Sequence, residues 1–545
     1  MGRASRWLTP LLFLCSCSPS EPPPADGSDP EARVSAIRER VARAESVGDV
    51  EGLVAAYTED IILQNPWIAP VVGREAVTAV MRELFSDNRL ETEYTSLALD
   101  VTGDSATDRG TLILRATADE GGESQVDTLH YLWRLRRDSA GEWAVAVALS
   151  GTSGPPELRL PTLPRPTGSL SIGTLDLLAT DSTRAESLTE DPADFRQASA
   201  QVWYPARIPP ASTPNRYRTL AATRAAGEFL GWPPFFNSLF SLVETHSHAG
   251  AAADDTAAPY PVVLYHHGYG GFTTVHTALI EELASHGYVV ASVGHAYESA
   301  LLLGPGGEIV PFAPDNAAYT ARLEEANGDR QEAIKDAIVR AGSADEQAGL
   351  YRELLEASPL HEESVEIWTA DGAFVLDMLE ELNESPGPLQ GMMDLSRVGV
   401  IGHSLGGAAA GQAVLTDDRV VAGVDLDGFM FGDMIDSELT KPFMFVSAAR
   451  SWAGELGSAL RVFFERSAGP SYALVIEGFE HATFTDLPLF EGAWPGEGDA
   501  AAGVRSMEVQ RAYATAFFDR HLKGLDSELL EGPSSRFPEV TIRVR

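Results

Sequence analysis

Val34, Ile37, Val41 and Ala44 recur at three- and four-residue spacing, the stripe of an amphipathic helix. A second helix is expected from Val50 to Tyr57. An apolar stretch then runs to Trp67, and a third helix is expected from Arg74 to Phe85. Beyond that point four strand-like runs follow, at 93–102, 108–118, 126–137 and 142–150. Val126, Leu129, Tyr131 and Trp133 are β-prone, and Trp143 to Leu149 is a short strand of its own. Helices followed by a meander predict an α+β body over residues 31–151. The segment 152–168, TSGPPELRLPTLPRPTG, has five prolines and little periodicity, which predicts a linker.

The second body, 169–545, reads differently. Residues 261–267, PVVLYHH, form an apolar strand followed by Gly268-Tyr269-Gly270-Gly271 and a helix from about Thr274 to His286. Gly287 ends that helix, and Tyr288 to Val293 is the next strand. Strand, Gly-rich turn, helix and strand make one βαβ unit of a parallel sheet. A second unit begins at Arg397, with the strand Val398 to Ile401, the turn Gly402-His403-Ser404-Leu405-Gly406-Gly407 and a small-residue helix from Ala408 to Leu415.

Gly402-x-Ser404-x-Gly406 is the nucleophile-elbow pattern. Its strand-to-helix turn is so sharp that a side chain two residues either side of the serine would clash. In that architecture the order is serine, acid, histidine. Only His481 and His521 follow Ser404. His521 sits in a helix, RAYATAFFDRHLKG, and reads as a solvated or capping residue. His481 lies in a loop straight after the strand Tyr472 to Ile476, where a parallel sheet presents its chemistry. For the acid, the strand Val420 to Val424 leads into Asp425-Leu426-Asp427-Gly428. Asp425 and Asp427 share one side of that strand. Asp427 is favoured because it is nearer the tip, with Asp425 as the alternative, and Asp433 and Asp436 read as loop residues beyond it. The oxyanion hole is expected from the backbone N–H of Leu405 and of a residue in the 268–271 turn, Tyr269 above all.

Composition narrows the partners. Forty basic residues face 79 acidic ones, a formal charge of −39, which repels phosphate backbones and makes nucleic acid an unlikely partner. The two cysteines, Cys15 and Cys17, both fall in the first 17 residues, so a disulfide framework or a cysteine-ligated metal elsewhere is excluded. No metal and no cofactor is expected. Arg3 and Arg6 precede a short apolar run, Leu8 to Leu14, and then Cys15-Ser16-Cys17. This resembles a bacterial lipobox in a signal peptide, 1–17, with Cys17 as the lipidated residue; Cys15 fits worse because Leu14 would fill the small position before it, and an ordinary secretory signal cleaved nearby is the alternative. Residues 18–30 read as a flexible tether. The expected location is outside the cytoplasm, anchored to a bacterial membrane on its periplasmic or cell-surface side, because buried acyl methylenes add about 0.8 kcal/mol each.

Two family resemblances sharpen this. GDVEGLVAAYTEDIIL at 48–63 and VVGREAVTAVMRELF at 71–85 resemble the SnoaL-like branch of the nuclear-transport-factor-two superfamily. That implies a curved sheet wrapped by helices around a conical pocket, in a module that binds a ligand or pairs subunits. Asp60, Trp67, His130 and Tyr131 are its polar or aromatic candidates. HHGYGGFTTVHTALIEELASHGYVVASVGH at 266–295, GHSLGG at 402–407, VDLDGFMF at 424–431, EHATFTD at 480–486 and AFFDRHLKG at 516–524 look like the plasma-type platelet-activating-factor acetylhydrolases and their bacterial relatives. That resemblance implies an α/β-hydrolase fold, a mostly parallel doubly wound sheet, with a Ser404–Asp427–His481 triad, no metal and activity on short-acyl esters. Leu405 stands where the mammalian enzymes carry Phe. An acidic insertion at 305–365 reads as a solvated helical pair or as a cap. Polyester, lactone or xenobiotic ester hydrolysis is the alternative substrate reading. A surface ligand-binding protein with a vestigial hydrolase body is the alternative of another class.

Overall fold

The computed structural model describes residues 30–65, 68–118, 125–137, 141–151, 162–189, 191, 193–210, 212–219, 222–223, 240–241, 243–304, 309–311, 322, 328–449, 458–491 and 500–545. Cys15, Cys17, the tether apart from Pro30, and Trp67 lie outside these. The chain divides into two compact units, Met1–Pro156 and Glu157–Arg545.

In the first unit, helices α1 (Pro30–Val47), α2 (Val50–Val54) and α3 (Arg74–Asp87) accompany strands β1 (Tyr57–Asn65), β2 (Ile68–Val72), β3 (Asn88–Thr102), β4 (Ser105–Ala118), β5 (Gln125–Arg137) and β6 (Trp143–Gly151). The sheet order is β2-β1-β6-β5-β4-β3. The meander β3 to β6 was legible as four strands. The second helix, however, stops at Val54 and not at Tyr57, with Asp49 accepting the N–H of Gly52 at its start. Tyr57 opens β1, in which Ile62 and Leu63 pair with Val147 and Ala148 of β6. The apolar run to Trp67 is thus largely sheet, because β-branched isoleucines here find a strand partner. Val34, Ile37 and Val41 of α1 are buried against Tyr131, Trp133 and Val145, as the helical stripe required.

In the second unit, the strands are β7 (Ser171–Ala185), β8 (Phe195–Arg207), β9 (Ser247–Ala249), β10 (Ala252–Ala253), β11 (Tyr260–His266), β12 (Val289–His295), the small pair β13 (Leu301–Leu303) and β14 (Ile309–Pro311), β15 (Met393–His403), β16 (Val420–Leu426), β17 (Phe443–Ala448), β18 (Ser471–Ile476) and β19 (Val540–Val544). Its helices are α4 (Thr277–Ser285), α5 (Asp329–Arg340), α6 (Ala344–Ala357), α7 (Pro359–Glu384), α8 (Leu405–Thr416), α9 (Arg461–Arg466), α10 (Leu487–Glu491) and α11 (Ala500–Lys523). The main sheet runs β19-β18-β17-β16-β15-β11-β12-β8-β7-β9, with β10 on β8. From β12 to β18 every pairing is parallel. Strands β8 and β19 close that block antiparallel.

Alternation within each central strand sorts the core into two layers. Val262 and Leu264 face α5, α6, α7 and α8, while Val263 and Tyr265 face α4 and α11. Helices α5 and α6 belong to the 305–365 insertion. They are not simply a solvated pair: Ile338, Tyr351 and Leu354 are fully buried in the first layer, and the Tyr351 hydroxyl donates to Ala459 O at 2.8 Å.

The Pro-rich segment also departs from a plain linker. Its last residues dock on the second unit, where Leu163 is buried. Arg511 of α11 donates to Pro164 O (2.6 Å), Arg165 O (3.1 Å) and Ala278 O (3.0 Å). Glu282 accepts the N–H of Thr167 at 2.9 Å. A guanidinium fans its donors over several carbonyls at once, which fixes a proline-rich strand whose own N–H groups are few.

A chain lacking residues 1–160 should therefore fold, whereas one lacking 1–168 strips Arg511 and Glu282 of these partners. Removing several such bonds to charged groups should lower stability by about 2–5 kcal/mol. Denaturant midpoints of the two truncated chains would show it, and equal midpoints would mean that the docked segment contributes nothing.

Candidate active site

The elbow forms because three backbone approaches exclude side chains. A Cβ on Gly402 would lie 1.9 Å from Gly406 O, and one on Gly406 would lie 2.3 Å from His266 O and 2.4 Å from His267 O. Ser404 between them is held at φ 56°, ψ −123°, directly before the first residue of α8. Such a backbone is costly for a non-glycine residue and persists only where the surroundings enforce it. Here Ser404 N donates to Leu426 O at 3.0 Å and Gly407 N to Ser404 O at 2.9 Å. Among the described residues only Tyr297, Ser404 and Asp427 are non-glycines at positive φ. Ser404 is part-exposed while its neighbours His403 and Leu405 are buried.

The neighbouring strand brings the acid. Gly402 and His403 of β15 lie opposite Asp425 and Leu426 of β16. Asp425 and Asp427 diverge here. Asp425 is fully buried beneath the elbow, with Oδ1 accepting from Gly428 N at 3.0 Å. Burial, and then the neighbouring Asp427 charge, push its carboxyl well above the usual range and so favour its neutral form. Asp427 leaves the strand at φ 59°, which turns its carboxylate toward the end of the next strands. Its Oδ1 accepts from Ala448 N at 2.8 Å, and its Oδ2 from His481 Nδ1 at 2.8 Å. Asp427 is fully buried, while the His481 side chain is 48% exposed.

The His481 loop is tied down on both sides. His403 Nε2 bonds to His481 O at 3.1 Å, and the two rings lie 4.6 Å apart. Gln510 of α11 donates to Thr483 O at 2.9 Å, and Asp486 N donates to Val275 O at 2.9 Å. Because Nδ1 donates to Asp427, Nε2 is the nitrogen left for a proton acceptor. The 268–271 turn completes the mouth. A Cβ on Gly268 would lie 3.2 Å from Ser404 Cβ, so this turn abuts the elbow. Tyr269, Gly270 and Gly271 are part-exposed there. Gly270 N and Gly271 N are used internally, donating to Glu298 O (2.9 Å) and Gly268 O (2.8 Å).

The other candidates go elsewhere. His521 bonds the Tyr472 hydroxyl at 3.1 Å, at the start of β18 and so at the opposite end of that strand from His481. Asp433 accepts from Gln412 at 2.8 Å and Asp436 pairs with Arg352 at 2.6 Å. In the first unit, Asp60 pairs with Arg136, and Tyr131 donates to Asp108 Oδ2 at 3.0 Å. His130 keeps a buried Nδ1 without a partner. Sequence reasoning missed Asp108, a fully buried carboxylate that also accepts from Arg38 (2.6 Å) and Ser96 (2.6 Å). The signal was an acidic residue at an inward position of a strand, which only β-alternation could have exposed. It also missed the buried polar residues Asp371, Glu298, His295 and Arg196 behind the 268–271 turn. Among the described residues no group of three or more His, Cys, Asp or Glu side chains is placed to hold a metal.

Comparison with known proteins agrees with this architecture. The model of the SnoaL-like domain matches residues 38–145. The platelet-activating factor acetylhydrolase of Cavia porcellus is 25% identical over 398 residues, covering 70% of this chain and 84% of that protein. A probable 1-alkyl-2-acetylglycerophosphocholine esterase of Arthroderma benhamiae is 31% identical over 170 residues, 27% of this chain and 43% of that protein. Among solved structures, a ferulic acid esterase from Streptomyces cinnamoneus aligns with a TM-score of 0.52 at 29% identity, covering 70% of this chain and 99% of that one. The second unit is thus an α/β-hydrolase and the first a SnoaL-like α+β domain, and the chain is an ester hydrolase. The family model described as platelet-activating factor acetylhydrolase, isoform II, matches residues 162–341 and 365–528, and to that family this chain belongs.

Proposed function

We propose that the chain hydrolyses short-acyl carboxylic esters through an acyl-enzyme on Ser404, with His481 as general base and acid and Asp427 as its orienting carboxylate. The observation that carries this is the 2.8 Å bond from His481 Nδ1 to a fully buried Asp427 beside a serine strained at an elbow. His481 Nε2 takes the proton as Ser404 Oγ attacks the ester carbonyl, and returns it to the leaving alkoxide. The acyl group stays on Oγ until water, deprotonated in turn by His481, releases the acid. The buried Asp427 stabilises the imidazolium formed in both steps. The oxyanion is received by the N–H groups of Leu405 and Tyr269, each worth about 10²–10³ in turnover. A 1-alkyl-2-acetylglycerophosphocholine-like ester fits the family. The relatives' names favour it over polyesters, lactones or xenobiotic esters.

Ser404→Ala should abolish hydrolysis of p-nitrophenyl acetate and labelling by a fluorophosphonate probe, with an unchanged circular dichroism spectrum. Asp427→Asn should lose about 10⁴-fold in kcat, and Asp425→Asn far less because His481 bonds Asp427 while Asp425 accepts from Gly428 N. Retained labelling in Ser404→Ala would point to another serine, and no labelling of the parent chain would favour the vestigial reading.

The lipid anchor belongs to the same proposal: Cys17 acylated, the body held at a membrane near lipid esters. Among the described residues no helix is long and apolar enough to cross a bilayer. Cys17→Ser should move the protein from the membrane pellet to the soluble fraction of its bacterial host; a variant that still sediments would refute the lipobox. The first unit is proposed as a subunit-pairing or ligand-binding module, with Leu97 and Val126 exposed on its strands. Sedimentation of the chain with and without residues 1–160 should show a dimer only in the longer form, and a monomer in both would remove the pairing role.

A further inference from the structure

Behind the 268–271 turn lies a buried polar network that the triad does not use. The segment 295–300, which begins at the last residue of β12, grips the turn at two backbone points. Gly270 N donates to Glu298 O at 2.9 Å, and Ala300 N donates to Gly271 O at 2.7 Å. A side-chain link joins them: Ser299 Oγ bonds His267 Nε2 at 2.8 Å and accepts from His295 N at 2.8 Å. His267 Nδ1 in turn bonds Gly268 O at 2.7 Å. The carbonyls and amides flanking Tyr269 are therefore oriented by 295–300.

That segment is itself held by one face of α7. Ser364, Trp368 and Asp371 stand four and three residues apart, so they share a side of the helix, and all three are fully buried. Ser364 Oγ and Trp368 Nε1 (2.8 Å) both donate to the Glu298 carboxylate. The Trp368 ring stacks on His295 at 3.9 Å and 7°. Asp371 Oδ2 accepts from His295 Nδ1 at 2.9 Å and from Arg196 at 2.7 Å. His295 Nε2 then meets His266 Nδ1 at 3.2 Å, at the end of β11. Gly372 permits this approach, since a Cβ there would lie 3.0 Å from His266 Nε2. Burial pushes the Glu298 carboxyl up to about 7 and holds His266, His267 and His295 down to about 3, so the histidines are neutral.

We infer that Ser364, Trp368 and Asp371 of α7 are positioning residues for the oxyanion hole, acting through the segment 295–300 on the Tyr269 N–H of the 268–271 turn. The inference rests on the Ser404 reading above. None of the three touches the reacting atoms. Their effect is confined to where the turn's amides point, and so to the tetrahedral state more than to the bound ester. Oxyanion donors act by preorganisation, and a displacement of about 1 Å can cost roughly 10²-fold.

The test uses the full chain with Trp368→Phe, which removes the Nε1 donor and keeps a ring beside His295, and Ser364→Ala, which removes only a hydroxyl. With p-nitrophenyl acetate, kcat should fall about tenfold or more in each while KM stays within twofold. The inhibition constant of an alkyl trifluoromethyl ketone, which forms a tetrahedral adduct on the serine, should rise by the same factor as kcat falls. A purely structural role would lower the unfolding temperature and leave kcat and the ketone constant unchanged. Folded variants with both constants within twofold of the parent overturn the inference. If Trp368→Phe does not fold, Ser364→Ala decides. A parent chain that hydrolyses no ester overturns the Ser404 reading and this inference together, whereas an active parent with unaffected variants overturns this inference alone.

Discussion

The hydrolase unit is built around a contact that leaves no room for a side chain. Where β15 turns into α8, the Gly402 Cα faces Gly406 O, and Gly406 in turn rests on the carbonyls of His266 and His267 at the end of β11. This packing sets how closely the helix approaches the sheet. It leaves Ser404 no relaxed conformation and stands it at the C-terminal edge of the central strands. The same closeness recurs one strand over. A Cβ on Gly428 would lie 2.3 Å from Ser404 O, and one on Gly407 would lie 1.8 Å from Asp425 Oδ1. Elbow and acid loop are thus locked together through glycines and the buried Asp425 carboxyl. Asp427 is aimed at His481, while burial and the neighbouring Asp427 charge push the Asp425 carboxyl up and favour its neutral form.

Much of this was legible because the relevant signals are local. A strand, a glycine-spaced serine and a small-residue helix occupy consecutive residues, and the continuous apolar runs are strands buried on both faces. Asp427 against Asp425 was harder, because strand alternation puts them on the same side. What separates them is the left-handed backbone of Asp427, φ 59°, a conformation that Asp tolerates better than most residues. The first unit's β1 was concealed because TEDIIL follows a helix without a strong breaker, and its partner β6 lies some eighty residues later. The docking of 162–168 was hidden for a similar reason: proline content reports that a segment cannot join a ladder, and says nothing of an arginine on α11 that collects its carbonyls. The insertion's helices carried an acidic surface and a buried stripe at once, and only the sheet could show which face governed their packing.

The chain is strongly acidic overall, yet several acids are interior: Glu298, Asp371, Asp425, Asp427 and Asp486 are all fully buried. A buried carboxyl costs several kcal/mol unless it is neutral or well partnered. Each of these meets one condition or the other. Asp371 faces Arg196, whose charge, against the opposing effect of burial, holds it well below the ordinary carboxylate range. Asp486, raised by burial to about 8, takes the N–H of Ala278 at the start of α4 and sits in the stretch that carries His481. An apolar replacement would be cheaper in transfer terms and would lose direction, since a hydrophobic contact fixes proximity but not orientation.

Each of these acids therefore sits where a loop at the strand ends must be aimed, not merely packed. Asp427 aims the histidine, Asp425 braces the acid loop against Gly407 of the elbow, Asp486 ties the histidine loop to α4, and Glu298 with Asp371 ties the 268–271 turn to α7. The parallel strands supply a common edge, but their ladder ends before these loops begin, so backbone pairing cannot set the loops' final angles. Side chains with directional bonds take over at that boundary. Helix α7 is the direct continuation of α5 and α6, whose apolar faces are sunk in the same core layer. The insertion's described helices and the support of the 268–271 turn thus meet in α7. In this fold, the packing of the insertion's helices and the aim of the 268–271 turn share one mechanical support.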